Sequence, residues 1–406
     1  MKIFLLDFFV NGHHLEHAGY LGRYLLEQGH EVTFATWQPG DELQGLLDIG
    51  LSVRYMSNRQ VPLSNETFYM LPQFTHGLRN CLDAAARESA AIVHLLYLDR
   101  AVLVPLWWNN FLSEVHVPIF GTLFSPYHFI DSPRLSPPEK LYHGMVRRAL
   151  KSLLLRDKLT FLFVRTERIK EVVLRALGVG DLEDRFIVVP DPLPDLMYMP
   201  GEDTSKQGCR ARLGLPQERI VLLFFGELRE SKGPDILLKA VKLLPPEVLV
   251  VFAGAPAGSL SRLDWKQEAT NLGLDGRVRL DLGHVPDELV PVYFQAADAI
   301  VLPYRRSFLA TSGVLQWAAA AEKPVIATDV GEVGDLVRRY GLGLVVEPEN
   351  PQRLADAIGR YVRGQEAIET SITKCASHYS SLNHWRQTAA SMLAAYQRAG
   401  LVRQMQ

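Results

Sequence analysis

The chain has 406 residues and a formal net charge of −2, too long for one ordinary core and too balanced for the basic footprint of a nucleic-acid-binding protein. Its three cysteines, Cys81, Cys209 and Cys375, stand far apart; they form no metal-ligand spacing and fit a reducing cytoplasm. Met1-Lys2 leads straight into a short apolar run and Asp7, too short and polar for a secretory leader, and no apolar run reaches the roughly 18–20 residues of a membrane span.

Apolar spacing predicts a strand at 2–6, a loop over 7–15 holding Gly12-His13-His14, an amphipathic helix over 15–28 closed by Gly29, and a strand at 30–36. That unit opens a doubly wound domain. Strands near 51–55, 92–97, 117–123, 159–164 and 186–189 continue it, with helical patterns between them, one at 167–177. Pro190-Asp191-Pro192-Leu193-Pro194 and the polar run 200–208 read as a linker. A second alternation begins with a strand at 219–225, a helix at 234–243, a strand at 248–253 and a helix around 261–271. It goes on through a strand at 278–280, a helix at 288–295, a strand at 299–302 and an alanine-rich helix opening at Thr311-Ser312-Gly313. Strands at 325–327 and 344–346 and a helix at 351–362 complete it. A last helix, 382–399, carries Trp385 and lies outside the alternation. The expected fold is α/β, with two Rossmann-like doubly wound domains facing across a cleft. The domains are 1–195 and 219–381, with a linker at 196–218 and a terminal helix in 382–406.

Two stretches of the second half suit an anion. Residues 226–233, GELRESKG, follow the first strand of that half; Gly226 permits a tight exit, Arg229 can clamp a phosphate, and Lys232 adds a point charge. The helix start at Thr311-Ser312-Gly313 presents backbone N–H groups with no intrahelical acceptor. Each alone reads equally as a solvated loop or an ordinary N-cap; together they suit a diphosphate. In the first half, His13 and His14 sit at a strand exit, where one of the two can hydrogen-bond a sugar hydroxyl or a phosphate. His94 reads as a satisfied strand histidine, Asp99-Arg100 as a polar pair at a strand exit, and Trp107-Trp108 with Phe111 as an aromatic platform or core. The segment 141–158 mixes Arg147, Arg148, Lys151, Arg156 and Lys158 with apolar residues. It reads as a packed helix with a solvated basic face, or as a site of weak contact with an anionic membrane. No Asp-x-Asp occurs, so no metal clamp of that kind is expected.

The chain resembles the GT-B glycosyltransferases of the large retaining group classed as glycosyltransferase family 4, over essentially its whole length. The resemblance rests on Gly12-His13-His14 with Gly29-His30-Glu31-Val32, on FFGELRESKG at 224–233, and most specifically on 297–332, ADAIVLPYRRSFLATSGVLQWAAAAEKPVIATDVGE. It implies a hexosyltransferase with a nucleotide-diphosphate sugar as donor substrate, held mainly by the second domain, and no cofactor. The acceptor, a glycan, lipid or small molecule, is expected against the first domain, onto which the last helix crosses back. Donor contacts are implied for Gly226, Arg229, Lys232, Thr311, Ser312, Gly313, Trp317 and Glu332, and acceptor contacts for Gly12, His13, His14 and Asp99. Catalytic roles are implied for Arg229, Lys232, His13 and His128, and a metal for none.

The chain also departs from the pattern. The family arginine usually follows the glycine directly, where Glu227 stands here, so Arg229 is the stand-in. A glutamate pair eight positions apart is replaced by Leu309 and Trp317, and no acidic residue occurs over 299–321. The next glycine motif reads Gly331-Glu332-Val333-Gly334-Asp335, and Phe124 stands where a histidine is common, with His128 in the same loop as a substitute. The expected activity is a retaining, metal-independent transfer to a hydroxyl. A non-catalytic nucleotide-binding or partner subunit is the alternative; a sugar-nucleotide epimerase or phosphorylase ranks behind it.

Overall fold

The computed structural model describes residues 1–7, 13–37, 40, 43–55, 71–98, 116–130, 135–193, 203–308 and 310–404. The chain divides into two compact units, Met1–Pro192 with Trp385–Gln406, and Leu193–His384.

The first unit is a parallel sheet of β1 (Lys2–Leu6), β2 (Glu31–Thr36), β3 (Ser52–Tyr55), β4 (Ile92–Leu95), β5 (Ile119–Leu123), β6 (Phe161–Val164) and β7 (Phe186–Val188), in the order β3-β2-β1-β4-β5-β6-β7. Its central strands are apolar without alternation, as a parallel sheet covered on both faces requires. One face carries the helix Trp385–Gln404, whose Met392, Leu393, Tyr396 and Ala399 pack with Ile3, Leu5, Phe120 and Phe163. His94 on β4 is fully buried there: Nδ1 lies 2.5 Å from the Tyr396 hydroxyl and Nε2 lies 2.8 Å from Thr122 Oγ1. Burial pulls its pKa down to about 3, so it is a neutral core group, as its apolar strand suggests. The first helix starts earlier than the sequence suggests, at His13 (His13–Glu27), which moves His14 from a loop onto the first turn.

The second unit is a parallel sheet of β8 (Ile220–Phe225), β9 (Val248–Gly254), β10 (Val278–Leu282), β11 (Ala299–Leu302), β12 (Val325–Thr328) and β13 (Gly343–Val346), in the order β10-β9-β8-β11-β12-β13. Two helices here are missing from the sequence reading. Lys206–Leu213 lies inside the presumed linker 196–218, capped by Ser205. Its polar composition hides it: only Cys209 and Leu213 reach the apolar core, and charge adds the rest of its anchorage. Arg210 is buried against Asp298, with Nε donating to the Ala296 carbonyl at 3.0 Å; Lys206 Nζ reaches Asp298 Oδ1 at 2.9 Å, and the Val221 amide donates to Asp298 Oδ2 at 2.7 Å. Gln365–Asn383 is the second, anchored by Tyr379, which donates to Gln316 Oε1 at 3.1 Å. The segment 288–295 resolves into a 3-10 turn, Asp287–Leu289, and a helix, Val290–Ala296, that starts where Pro291 is tolerated.

In each sheet the strand order reverses at the first strand of its unit: β1 has β2 and β4 as neighbours, and β8 has β9 and β11. Ligands of open α/β sheets bind beyond the carboxyl end of such strands. Asp7 and Gly226 occupy those two positions.

Candidate functional site

At the exit of β8, Gly226 has φ +91°, and a methyl group on it would lie 2.8 Å from Lys232 Nζ and 3.9 Å from Val314 Cγ2. The lysine therefore crosses the bare glycine toward the start of the helix Gly313–Ala320. The 3-10 turn Glu230–Lys232 ends at Gly233, whose φ is +64° and whose added Cβ would stand 2.1 Å from the Pro303 carbonyl oxygen. Only glycine meets both demands. The Lys232 ammonium makes no hydrogen bond or close ion pair among the described residues. Burial, and then the Arg229 charge, lower its pKa to about 8. Arg229 is less enclosed: Nη1 lies 3.7 Å from Glu227 Oε2, its guanidinium carbon is 5.9 Å from the Phe308 ring centre, and its buried Nε has no hydrogen-bond partner among the described residues.

The facing wall is the N-terminus of Gly313–Ala320. Ser312 caps it, accepting from the Leu315 amide at 3.3 Å, and its Oγ lies 3.0 Å from the Tyr304 hydroxyl. Burial pushes the Tyr304 phenol up to about 12. The Gly313 and Val314 amides precede any intrahelical acceptor, and the space above Gly313 is open. Thr311 beside them is half-buried. The loop leaving β11 joins the two walls through Arg305, whose amide donates to the Ser231 carbonyl at 2.9 Å. Gly331 starts the helix Gly331–Tyr340 close to this loop, since an added Cβ would lie 3.4 Å from the Phe308 oxygen; Glu332 follows it, buried.

Gly226, Arg229, Lys232, Ser312 and Gly313 thus come together, with Thr311 adjoining and Glu332 on the next loop. Trp317 does not join them. Its ring stacks on Phe294, 5.7 Å between centres and 26° between planes, within the apolar core. It faces the neighbouring helix because it lies a full turn beyond the helix start. Leu309 lies outside the described residues.

In the first unit, His14 is buried with Nδ1 2.9 Å from Asp7 Oδ2, and its ring meets Tyr97 edge-on at 4.6 Å. Tyr97 in turn packs on Phe124 at 5.3 Å. The buried Arg165 guanidinium lies 4.0 Å from the Phe124 ring centre, pairs with Asp191 at 2.9 Å, and has Nη2 3.3 Å from His17 Nδ1. A pocket beside it is lined by His17, Tyr20, Thr122, Arg165, Trp385 and Met392, among others. His128, expected to substitute for the histidine that Phe124 replaces, goes elsewhere. The 3-10 turn Tyr127–Phe129 seats it against the helix Pro137–Leu155, with its ring perpendicular to His143 at 4.7 Å. Its carbonyl accepts from Arg147 Nε at 2.7 Å. That helix buries Val146, Leu150 and Leu154 and leaves Arg148 and Arg156 exposed. Gly12, Asp99, Arg100, Trp107, Trp108, Phe111 and the His13 side chain lie outside the described residues.

The sequence reading missed Asp7, Arg165, Asp191 and Arg305 as organising groups. Asp7 and Arg165 each follow directly on a strand, which is the signal that could have found them. Among the described residues, no group of three or more histidines, cysteines or carboxylates is placed to hold a metal ion. No described helix is long and apolar enough to cross a membrane.

Residues 205–374, all within the second unit, match the family model of glycosyl transferases group 1. Among curated proteins, the D-inositol 3-phosphate glycosyltransferase of Corynebacterium glutamicum is 33% identical over 220 residues, 52% of this chain and 51% of the relative. The chain spans about half the length of the curated relatives it matches. Among solved structures, Anabaena HepE in complex with UDP superposes with a TM-score of 0.76 at 18% identity, covering 98% of this chain and 100% of that one. Sucrose-phosphate synthase from Thermosynechococcus elongatus gives 0.75 at 19%, covering 99% and 100%. The fold is GT-B, and the second unit carries the group 1 glycosyl transferase resemblance.

Proposed function

We propose that this GT-B chain is a hexosyltransferase that moves a sugar from a nucleoside-diphosphate donor to a hydroxyl acceptor, with retention and without a metal. One observation carries the proposal: at the switch point of the second unit Lys232 Nζ lies over the bare Gly226, which neighbours Val314 of the helix start, with Arg229 close enough to lower the lysine's pKa and no carboxylate tightly paired to it. Such a set of cations and dipoles is arranged for a dianionic group. As the bond from the anomeric carbon to the diphosphate breaks, negative charge grows on the leaving oxygen, where Lys232 and the Gly313 amide stabilise it. The acceptor hydroxyl attacks the anomeric carbon on the same face, and its proton passes to the departing phosphate oxygen. No enzyme nucleophile is required, and two side-chain cations do the work of a metal. The UDP in the HepE structure and the inositol phosphate in the relative's name set the first donor base and acceptor to try.

The test is thermal stabilisation by UDP, GDP and ADP with and without EDTA, repeated on Lys232→Ala. Stabilisation that ignores EDTA and is much weaker, though still measurable, in the variant is expected; unchanged binding by Lys232→Ala sinks the site. The packing of half-buried Trp317 on Phe294, at a position where the family carries a carboxylate, favours a second reading as a nucleotide-binding subunit without turnover. Donor consumption over long incubation with polyol and inositol phosphate acceptors separates the two.

A further inference from the structure

We propose that Arg305, held by Asp235, is a positioning residue that sets where Lys232 stands, and not itself a phosphate ligand; this rests on the diphosphate reading above. An arginine in the loop facing an anion site would ordinarily be taken for a ligand. Its bonds point the other way. Its amide donates to the Ser231 carbonyl at 2.9 Å, its Nε to the Glu230 carbonyl at 2.9 Å, and its Nη2 to Asp235 Oδ2 at 2.6 Å. Two contacts therefore grip the turn Glu230–Lys232 from the loop side, and the third ties Arg305 to the helix Pro234–Val241 that follows the turn. Asp235 neutralises the guanidinium, and its buried Oδ1 has no hydrogen-bond partner among the described residues, so the carboxylate is committed to this arginine.

The grip extends to the opposite wall. The Pro303 carbonyl fills the space where Gly233 lacks a side chain. Tyr304 reaches the helix cap Ser312, while the Tyr304 carbonyl accepts from Thr328 Oγ1 at 2.6 Å. Residues 303–305 thus touch both the lysine turn and the helix start, which fixes the span between the two halves of the cradle. A catalytic cation misplaced by about 1 Å loses much of its effect, so the loss of this grip is felt at the phosphate.

The experiment is calorimetric UDP binding to the full chain as wild type, Arg305→Ala, Arg305→Lys, Asp235→Asn, Lys232→Ala and the double variant Arg305→Ala/Lys232→Ala, each checked for its melting transition. Arg305→Ala and Asp235→Asn are each expected to weaken UDP about tenfold. In the Lys232→Ala background, Arg305→Ala is expected to cost less than about twofold, because there is no longer a lysine to position. Arg305→Lys, which keeps the charge and loses the fork, is expected to behave like the alanine variant. A direct phosphate ligand predicts the opposite: Asp235→Asn would free the guanidinium and tighten UDP, and the full loss would persist without Lys232. Either result overturns the inference while leaving the diphosphate site standing. Arg305→Lys and Asp235→Asn decide the matter if Arg305→Ala does not fold. Failure of the wild type to bind UDP, GDP or ADP overturns the diphosphate reading, and this inference with it.

Discussion

Two arginine–lysine pairs, one at each end of the second sheet, are treated differently. At the end where β8 and β11 begin, Arg210 and Lys206 close on Asp298, which also accepts the Val221 amide; Arg210 and Asp298 are each about 3% exposed. At the end where the same strands leave the sheet, Arg229 has only a loose, exposed contact to Glu227, and Lys232 has none. Buried cations are ordinarily paired, since an unpaired one costs desolvation. The first pair therefore belongs to the fold. The second is a charge set left unbalanced among the described residues, and the proposed diphosphate would complete it. The first unit sits between these cases: at its strand exits Arg165 meets Asp191 and His14 meets Asp7, an arrangement that orients groups rather than awaiting a charge.

The largest expected effect tests the closed end. Asp298→Ala strands Arg210 in the interior and removes the acceptor for Val221, and is expected to cost about 3–5 kcal/mol in urea unfolding. Nucleoside-diphosphate affinity of the molecules that remain folded should not change. A loss under 1 kcal/mol would mean that the two ends differ less than their burial implies.

How much of this contrast can be read from the chain differs by end. The open end is legible, because Gly226, Arg229, Lys232, Gly233 and the Thr311-Ser312-Gly313 helix start lie on strand exits that apolar periodicity locates well. The closed end is not. Lys206 and Arg210 sit in a polar stretch with no apolar stripe, and Asp298 reads as one acid before a strand; the ion pair and the burial of Cys209 and Leu213 that fasten this helix are tertiary contacts. Histidines fare similarly. His94 is readable from its apolar strand, whereas His128 was assigned on loop position alone, and a 3-10 turn seats it against His143. Arg305 was passed over because its role lies in carbonyl contacts that no spacing encodes.

The next effect in size strikes the backbone of the open end. Gly233→Ala places a methyl against the Pro303 carbonyl and forces a left-handed φ of +64° on a residue with a Cβ. The expected cost is on the order of 2–3 kcal/mol, accompanied by loss of UDP binding as the turn moves. Gly214, also left-handed at φ +63° but with nothing within 4 Å of its added Cβ, is the control; its alanine variant should keep UDP binding.

Lys232→Met sharpens the comparison with a change of sign, since removing an unbalanced cation should stabilise the ligand-free protein, by about 1–2 kcal/mol. The lysine's pKa is lowered from 10.5 to about 8 on folding. Below pH 8 both folded and unfolded chains carry its proton, and the folded state bears the full penalty. Between pH 8 and 10.5 the folded lysine sheds its proton while the unfolded one keeps it, so the penalty shrinks and is gone above that range. The melting-temperature advantage of the variant should therefore be largest near pH 7, much reduced at pH 10 and absent well above pH 10.5. An advantage that grows with pH would show that burial is not what depresses the lysine.

The smallest effect separates the two walls of the open end. Tyr304→Phe removes one hydroxyl, which lies 3.0 Å from Ser312 Oγ, and leaves the buried ring in place at 4.2 Å from Phe308. Because burial holds the phenol protonated beyond any ordinary pH, the tyrosine can act as a donor to Ser312 throughout. Ser312 Oγ already accepts from the Leu315 amide, so its own proton is available to the mouth of the helix. The variant should lose about 0.5–1 kcal/mol of stability and about threefold in UDP affinity, with no change in the pH dependence set by Lys232. Ser312→Ala should lose at least as much of both, since it removes the cap as well. If Tyr304→Phe instead reshapes the pH profile, the helix wall and the lysine wall are one coupled system, and the open end is better described as a single network than as two halves held at a distance.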